Sequence, residues 1–292
     1  MKTLVTGGTG LIGSQIDGDY KLSSKELNLM NLPVAKKIIS DLKVDRIIHC
    51  AAVQKNGSTI KNNHFNHFYE NMLINLNILK IASDLNIKEI LSVSTINALP
   101  AIDNCNELEL HSGPPRKELY SDGFVNRMLV VGSQSLSEES DIRTIYPLLT
   151  NIYGPSKKFE NGIIPFFIKK CIECKKENKD LEILGDGSPV RDFIFAPDLN
   201  NIFEWMFNNY YENDPLIVST GVGVSVKEIV EMIVKHVGFE GNIKWIKDER
   251  FNKKDVKVFN NKKLKDLNPE IKFTSMETGL IKTIGWWLNN EC

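Results

Sequence analysis

The run "TLVTGGTGLIGS", Thr3 to Ser14, constrains this chain more than any other stretch. Strand-forming residues lead straight into Gly7, Gly10 and Gly13, spaced three apart. A strand that ends in such a G-x-x-G-x-x-G and opens a helix is the fingerprint of a dinucleotide-binding turn. The first glycine permits the tight turn, the second lets backbone N–H groups approach a pyrophosphate, and the third lets helix and strand pack closely. The backbone of Gly7, Gly10, Leu11, Ile12 and Gly13 is therefore the candidate phosphate cradle. The helix amino terminus would add unpaired donors and a partial positive charge. A junction that uses glycine for its geometry alone is the plainer alternative.

Downstream, apolar runs of strand length, "DRIIHCAA", "EILSVST" and "RTIYPLLT", alternate with longer amphipathic stretches. In "FYENMLINLNILKIASDL" Met72, Asn75, Leu76 and Leu79 recur at helical spacing, and Ser121 to Ser137 gathers Phe124, Met128 and Val131 on one face. Strands separated by helices of this length imply right-handed crossovers and a parallel sheet. After "NIYGPSKKFENG" the texture changes to a lobe with helices predicted over 197–210 and 226–237, and a last one capped by Thr274 or Ser275. The fold class is α/β: a Rossmann-type doubly wound parallel sheet with a smaller C-terminal substrate lobe. The expected division assigns 1–157 and 192–222 to the dinucleotide-binding domain, and 158–191 and 223–292 to the lobe.

Bulk properties narrow the function. Net charge is −1 over 292 residues, so no basic field exists for nucleic acid or anionic lipid. No apolar run approaches the length of a bilayer span, and "KTLVTGG" after Met1 reads as a core strand and not as a signal peptide, which makes the cytoplasm the expected address. Five cysteines at irregular spacing do not describe a disulfide framework. Cys171 and Cys174 form a C-x-x-C in a helix-like stretch without a second pair, and His64 and His67 lack a third ligand. These read as structural or solvent-facing groups, with no metal site.

From Gly13 to the next strand only a short helix of barely two turns fits before Asp17-Gly18-Asp19 breaks it. The second strand of such folds ends in an acid for the adenosine ribose or in basic groups for a 2′-phosphate. Here stand Lys21, Ser23, Ser24 and Lys25, with Asp19 the one candidate acid, which leans toward NADP over NAD.

In order along the chain, the glycine turn, "HCAA" at His49–Ala52, Asn71, "VST" at Val93–Thr95, Tyr120, "TNIYGP" at Thr150–Pro155 and "RDF" at Arg191–Phe193 resemble the extended short-chain dehydrogenases/reductases, the NAD-dependent epimerase/dehydratase family. "SSKELNLMN", "NGIIPFFIKK" and "TGVGVSVKEIVEMIVKHVGFEG" look most like its GDP-L-fucose synthases, GDP-4-keto-6-deoxymannose epimerase-reductases. The resemblance implies an NAD(P)-dependent nucleotide-sugar oxidoreductase, a homodimer through a helix bundle, and a Ser/Thr–Tyr–Lys catalytic group. Thr95 and Tyr120 match its catalytic hydroxyl and proton donor. Ala51, Ala52 and Asn71 join the cofactor-binding set, and Asn97, Asn151, Lys169 and Arg191 the substrate-binding set.

Four positions depart from that pattern. Asn97 and Gly162 replace the epimerisation base and acid, so proton exchange at C3 and C5 is not expected. Thr9 stands where an arginine would meet the 2′-phosphate. Phe124 replaces the lysine. An ammonium about 4 Å from a tyrosine would favour the tyrosinate by roughly 4 kcal/mol at an effective dielectric of 20. Oxidation needs that tyrosinate, whereas reduction uses the neutral phenol, so reduction of a 4-keto sugar is the direction that survives. Arg127, two turns on, is either a partial substitute or a solvated helix charge. "YGPSK" repeats the Y-x-x-x-K letters at Tyr153 and Lys157, but Gly154-Pro155 prevents the shared helical face the chemistry needs. A non-catalytic nucleotide-binding protein of the same fold is the alternative function.

Overall fold

A computed structural model describes residues 1–53, 63–102, 105–156, 162–248 and 255–290. It resolves into two compact units, Met1–Thr150 with Leu199–Val218 and Asn260–Ile271, and Asn151–Asp198 with Ser219–Phe259 and Lys272–Cys292. These changeovers fall at other residues than the expected ones. Most notably, 260–271 lies in the first unit, where Leu264 is fully buried and Lys263 pairs with Glu212 at 2.6 Å.

The first unit is built on a five-stranded sheet ordered β2-β1-β3-β4-β6, with every pair parallel. Its strands are β1 (Thr3–Thr6), β2 (Tyr20–Leu22), β3 (Arg46–His49), β4 (Glu89–Ser92) and β6 (Arg143–Ile145). Leu4, Ile47 and Ile90 lie in one register row and are fully buried. They meet Ala35 and Ile39 of helix α1 (Leu32–Leu42), Ile78 and Ile81 of α2 (His64–Asp84), and Leu129 of α3 (Tyr120–Glu139) in one apolar cluster. Each such fully buried side chain is worth about 1.5–3 kcal/mol relative to exposure.

A second parallel ladder, β11-β7-β5, continues two of these strands: β5 (Ser94–Thr95), β7 (Pro147–Leu149) and β11 (Leu216–Val218). "EILSVST" and "RTIYPLLT" thus each form two strands in place of one. Pro147 has no N–H to give the ladder, and the break falls beside it. The helix expected after the glycine turn is also missing. Gly13–Gln15 makes a single 3-10 turn, and the chain enters β2 directly.

In the second unit, β10 (Val190–Phe195) pairs in parallel with β8 (Asn151–Tyr153) and β14 (Val256–Lys257), and antiparallel with β12 (Gly223–Ser225). A separate parallel pair joins β9 (Leu181–Leu184) to β13 (Ile243–Ile246). Ile168 and Cys171 of helix α4 (Ile163–Glu177), Ile229 and Ile233 of α6 (Val226–Val237), and Leu280 and Trp287 of α8 (Met276–Asn290) share its core with Tyr153 and Phe195. Helix α6 has the Ser225/Glu228 capping box that its sequence encodes. The remaining helices are α5 (Asp198–Asn209) and α7 (Lys262–Leu267). No helix among the described residues is long and apolar enough to cross a membrane.

Candidate functional site

In the first unit the chain leaves β1 to one side for β2 and returns through α1 to the other side for β3. The winding therefore reverses between β1 and β3, and in open α/β sheets ligands bind outside the carboxyl ends of strands at such a point. The carboxyl end of β1 carries the glycine turn. Gly7 holds φ at +65°, and a Cβ on it would lie 2.9 Å from the Ala51 backbone. Gly10 N–H closes the turn onto the Gly7 carbonyl at 2.8 Å. The N–H groups of Leu11 and Ile12 have no acceptor among the described residues, which leaves two donors for an anion. The third glycine has a different duty from the expected one: a Cβ on Gly13 would meet the Gly7 carbonyl oxygen at 2.4 Å, so it packs on the turn itself. With only Gly13–Gln15 helical at this point, the cradle rests on individual N–H groups and not on a macrodipole.

The carboxyl end of β3 carries Cys50 to Val53, fixed by two buried hydrogen-bond chains. Ala51 N–H donates to Thr6 Oγ1 (3.3 Å), Thr6 Oγ1 lies 2.8 Å from His49 Nδ1, and His49 Nε2 lies 3.2 Å from Asn75 Oδ1. Burial lowers His49 to a pKa of about 4, so the ring is neutral at physiological pH. Asn71, expected to contact the cofactor, gives both ends of its amide to Val53: Val53 N–H donates to Oδ1 (2.8 Å) and Nδ2 donates to the Val53 carbonyl (3.1 Å). Ala51 is half-buried and Ala52 exposed.

At the end of β2, Ser23 N–H and Oγ are capped by the Glu26 carboxylate at 2.9 and 2.8 Å, and Lys21 donates to the Ser14 carbonyl at 2.8 Å. Ser24 and Lys25 are exposed. Asp19, the one acid that sequence offered for the ribose, sits at the wrong end of the sheet. Its carboxylate accepts the Thr3 N–H at 2.7 Å, at the amino end of β1.

Tyr120 is the first residue of α3 and 51% exposed. Its hydroxyl has no hydrogen-bond partner among the described residues. Phe124, one turn on, packs edge-on against it with ring centroids 4.6 Å apart. The same helix packs on β5 and on the 3-10 turn Ile96–Ala98, made possible by Gly123, where a Cβ would fall 2.6 Å from the Asn97 carbonyl. Thr95, half-buried on β5, accepts the Asn97 N–H at 3.3 Å, which leaves its own hydroxyl hydrogen to donate. Tyr153 is the opposite case. It is 1% exposed in the second core, its hydroxyl faces the Met276 carbonyl at 3.4 Å, and burial raises its pKa. Lys157 lies outside the described residues.

Arg127 fits neither role considered from sequence. It is 5% exposed, and its guanidinium donates to the Ala98 carbonyl (2.7 and 3.0 Å) and the Gly113 carbonyl (2.8 Å). It pins the excursion between β5 and α3. Glu107 pins it again by accepting the Ile217 N–H at 2.9 Å. In the second unit, Asn151 and Lys169 are exposed, and Asn151 Nδ2 donates to the Asp192 carbonyl at 2.9 Å. Arg191 is paired with Asp255 at 2.9 Å. Asp192 lies fully buried within "RDF", outside the expected site residues. Its carboxylate takes the hydroxyls of Ser219 and Thr220 and the N–H groups of Thr220 and Gly221, and so orders that loop. An acid at an inward position of a strand was its one sequence signal.

A parallel sheet with a glycine turn at its switch point, and a tyrosine-headed helix beside the hydroxyl-bearing strand, defines the dinucleotide-fold class of α/β proteins. Residues 3–220 match the NAD dependent epimerase/dehydratase family, and the chain belongs to it. It is 29% identical to the GDP-L-fucose synthase of Dictyostelium discoideum, over 98% of this chain and 95% of that protein. It is 26% identical to that of Escherichia coli, over 99% and 97%. Among solved structures, a GDP-L-fucose synthetase from Naegleria fowleri bound to NADP superposes with a TM-score of 0.89 at 25% identity, covering 99% of this chain and 93% of that one.

Proposed function

We propose that this chain is an NADPH-dependent reductase of a GDP-linked 4-keto sugar, acting without C3/C5 epimerisation. The observation that carries the reading is the exposed, unpartnered hydroxyl of Tyr120 at the head of the helix that packs on Thr95. NADPH, when bound, supplies the hydride. Leu11 and Ile12 give their N–H groups to its pyrophosphate, Gly7, Gly10 and Gly13 shape the turn that presents them, and Asn71 acts by fixing the Ala51–Val53 loop beside it. Lys21, Ser24 and Lys25 near the end of β2 suit a 2′-phosphate, and Asp19 at the opposite end does not repel one. Thr95 donates a hydrogen bond to the ketone oxygen, and neutral Tyr120 gives it the proton. Asn151, Lys169 and Arg191 bind the nucleotide sugar, as does Asn97.

The relatives above are named for GDP-L-fucose, which supports the GDP-linked substrate. The missing base and acid argue against the epimerisation: Asn97 is an amide and Gly162 has no side chain. A purely binding role gives the Tyr120 hydroxyl no task. The test is NADPH oxidation with GDP-4-keto-6-deoxymannose in deuterium oxide. NADPH should be used at least about tenfold better than NADH, and the product should carry no deuterium at C3 or C5. No oxidation, together with no rise in melting temperature on adding NADPH, would remove the reading.

The homodimer is proposed through α2, where Phe65, Tyr69 and Leu76 are exposed, and Phe65 and Tyr69 stack at 6.1 Å. Their spacing of four and seven places them on one helical face. Sedimentation should show a dimer in the native chain and a monomer in Leu76→Glu. A native monomer would end the idea.

A further inference from the structure

The first turn of α3 holds a carboxylate that nothing above employs. Asp122 is its third helical residue, the position from which an acid normally reaches back to cap the helix start. It does not do so, and the helix has no side-chain cap. One oxygen, Oδ2, instead accepts the Nδ2 of Asn97 at 2.9 Å. The other, Oδ1, accepts Asn126 Nδ2 at 3.3 Å, and Asn126 Oδ1 in turn accepts the Ser94 hydroxyl at 3.3 Å.

Behind Oδ1, at 3.6 Å, stands Nε2 of His67, a ring 4% exposed whose Nε2 makes no hydrogen bond among the described residues. Its tautomer follows from its neighbours. Asn71 gives its carbonyl oxygen to Val53 N–H, so its NH2, which donates to the Val53 and His67 carbonyls, also faces His67 Nδ1 at 3.2 Å, a neighbour that suits an unprotonated Nδ1. The ring proton is on Nε2 and aims at Asp122. An unpaired buried N–H is costly, so this one favours keeping the carboxylate where it is.

The consequence falls on Asn97. Only an NH2 can face a carboxylate, so the amide orientation is fixed by chemistry. Its carbonyl oxygen has no partner among the described residues, and its backbone N–H is already tied to Thr95. We infer that Asp122, backed by His67, is a positioning residue that locks the Asn97 amide beside Thr95, so that the amide offers a fixed acceptor to a hydroxyl of the sugar. This inference rests on the reductase reading and sharpens it. The site selects a sugar with a free hydroxyl at that place, and a deoxy or O-alkylated analogue leaves the acceptor unpaired.

Steady-state kinetics of the full chain with NADPH and GDP-4-keto-6-deoxymannose test it. Asp122→Ala should raise KM for the sugar about tenfold, the worth of one hydrogen bond, with kcat and the KM of NADPH within about threefold. Asn97→Ala should match it, and the double variant should be no worse than either, because the two act as one unit. Asp122→Asn still offers Asn97 a carbonyl and should stay within about threefold of the native chain. Since it is isosteric, it also gives a result if Asp122→Ala fails to fold. Additive losses, or an NADPH KM that rises in step with that of the sugar, would make Asp122 an ordinary structural carboxylate and overturn the inference. The two readings fail differently. A native chain that neither turns over nor binds the sugar in calorimetry ends both, whereas normal native turnover with an indistinguishable Asp122→Ala ends only this one.

Discussion

Tyr120→Phe is expected to lose about 10²- to 10⁴-fold in kcat for ketone reduction, or about 3–5 kcal/mol of transition-state stabilisation, while binding NADPH as before. The substitution removes one oxygen and leaves the ring, so the edge contact with Phe124 at 4.6 Å persists and α3 starts unchanged. Thr95 still donates to the substrate oxygen. The loss is therefore that of the proton donor alone, and it should appear in kcat and kcat/KM together, the mark of an interaction made only in the transition state. Phe124 sharpens the test. In a site with a lysine, a missing phenol is partly covered by the ammonium, which can stabilise the oxyanion. Here the ring beside Tyr120 is apolar, and the guanidinium one turn further is committed to Ala98 and Gly113. No second acid stands ready on the helix. Stopped-flow NADPH oxidation measures the loss, and fluorescence titration of NADPH checks that binding is intact. A rate within about threefold of the native one would show that the proton comes from elsewhere.

What could be read from the chain in advance follows the range of each interaction. The glycine turn, the start of α3 at Tyr120 and the helix over 226–237 depend on residues within a few positions of one another, and their spacing is their geometry. The core rows of β1, β3 and β4 were legible because buried parallel strands are apolar throughout. Other features were set by partners distant in sequence. Asp19 stands as the one candidate acid near the second strand because that strand's bounds and pairing are set by contacts distant in sequence. Once β2 runs parallel to β1, Asp19 falls at the amino end, on Thr3. Arg127 looked like a surface charge because the carbonyls it binds, at Ala98 and Gly113, lie 29 and 14 residues away. Asp122 has no local signal, since its neighbour His67 comes from another helix and its partner Asn97 from the turn after β5. The glycine turn closes at the spacing its letters set, and its last member packs on the turn itself in place of a helix.

That last member gives the second large effect. Gly13→Ala would place a Cβ 2.4 Å from the Gly7 carbonyl oxygen, 2.9 Å from its carbonyl carbon and 3.1 Å from Gly8 Cα. All three are backbone atoms, so no side chain can swing aside. The same Gly7 carbonyl accepts Gly10 N–H and closes the turn, while Gly7 itself is held against Ala51 at φ +65°. Relief by moving Gly7 is blocked on the far side by β3's exit loop, so the strain must open the turn or push Gly13 outward. Either outcome displaces the free N–H groups of Leu11 and Ile12 that lie between Gly10 and Gly13. Overpacking of this kind costs about 1–3 kcal/mol. With no α-helix behind the turn to restore its shape, most of that penalty reaches the ligand. NADPH affinity should fall about five- to hundredfold, with a melting temperature lower by several degrees. Gly285→Ala is the matched control, because a Cβ there meets nothing within 4 Å and alanine is the better helix former by up to about 1 kcal/mol. It should leave NADPH binding untouched and the melting temperature equal or higher. If Gly13→Ala bound NADPH as the native chain does, the turn would be relaxing along a route these contacts forbid, and the phosphate cradle would have to be sought away from it.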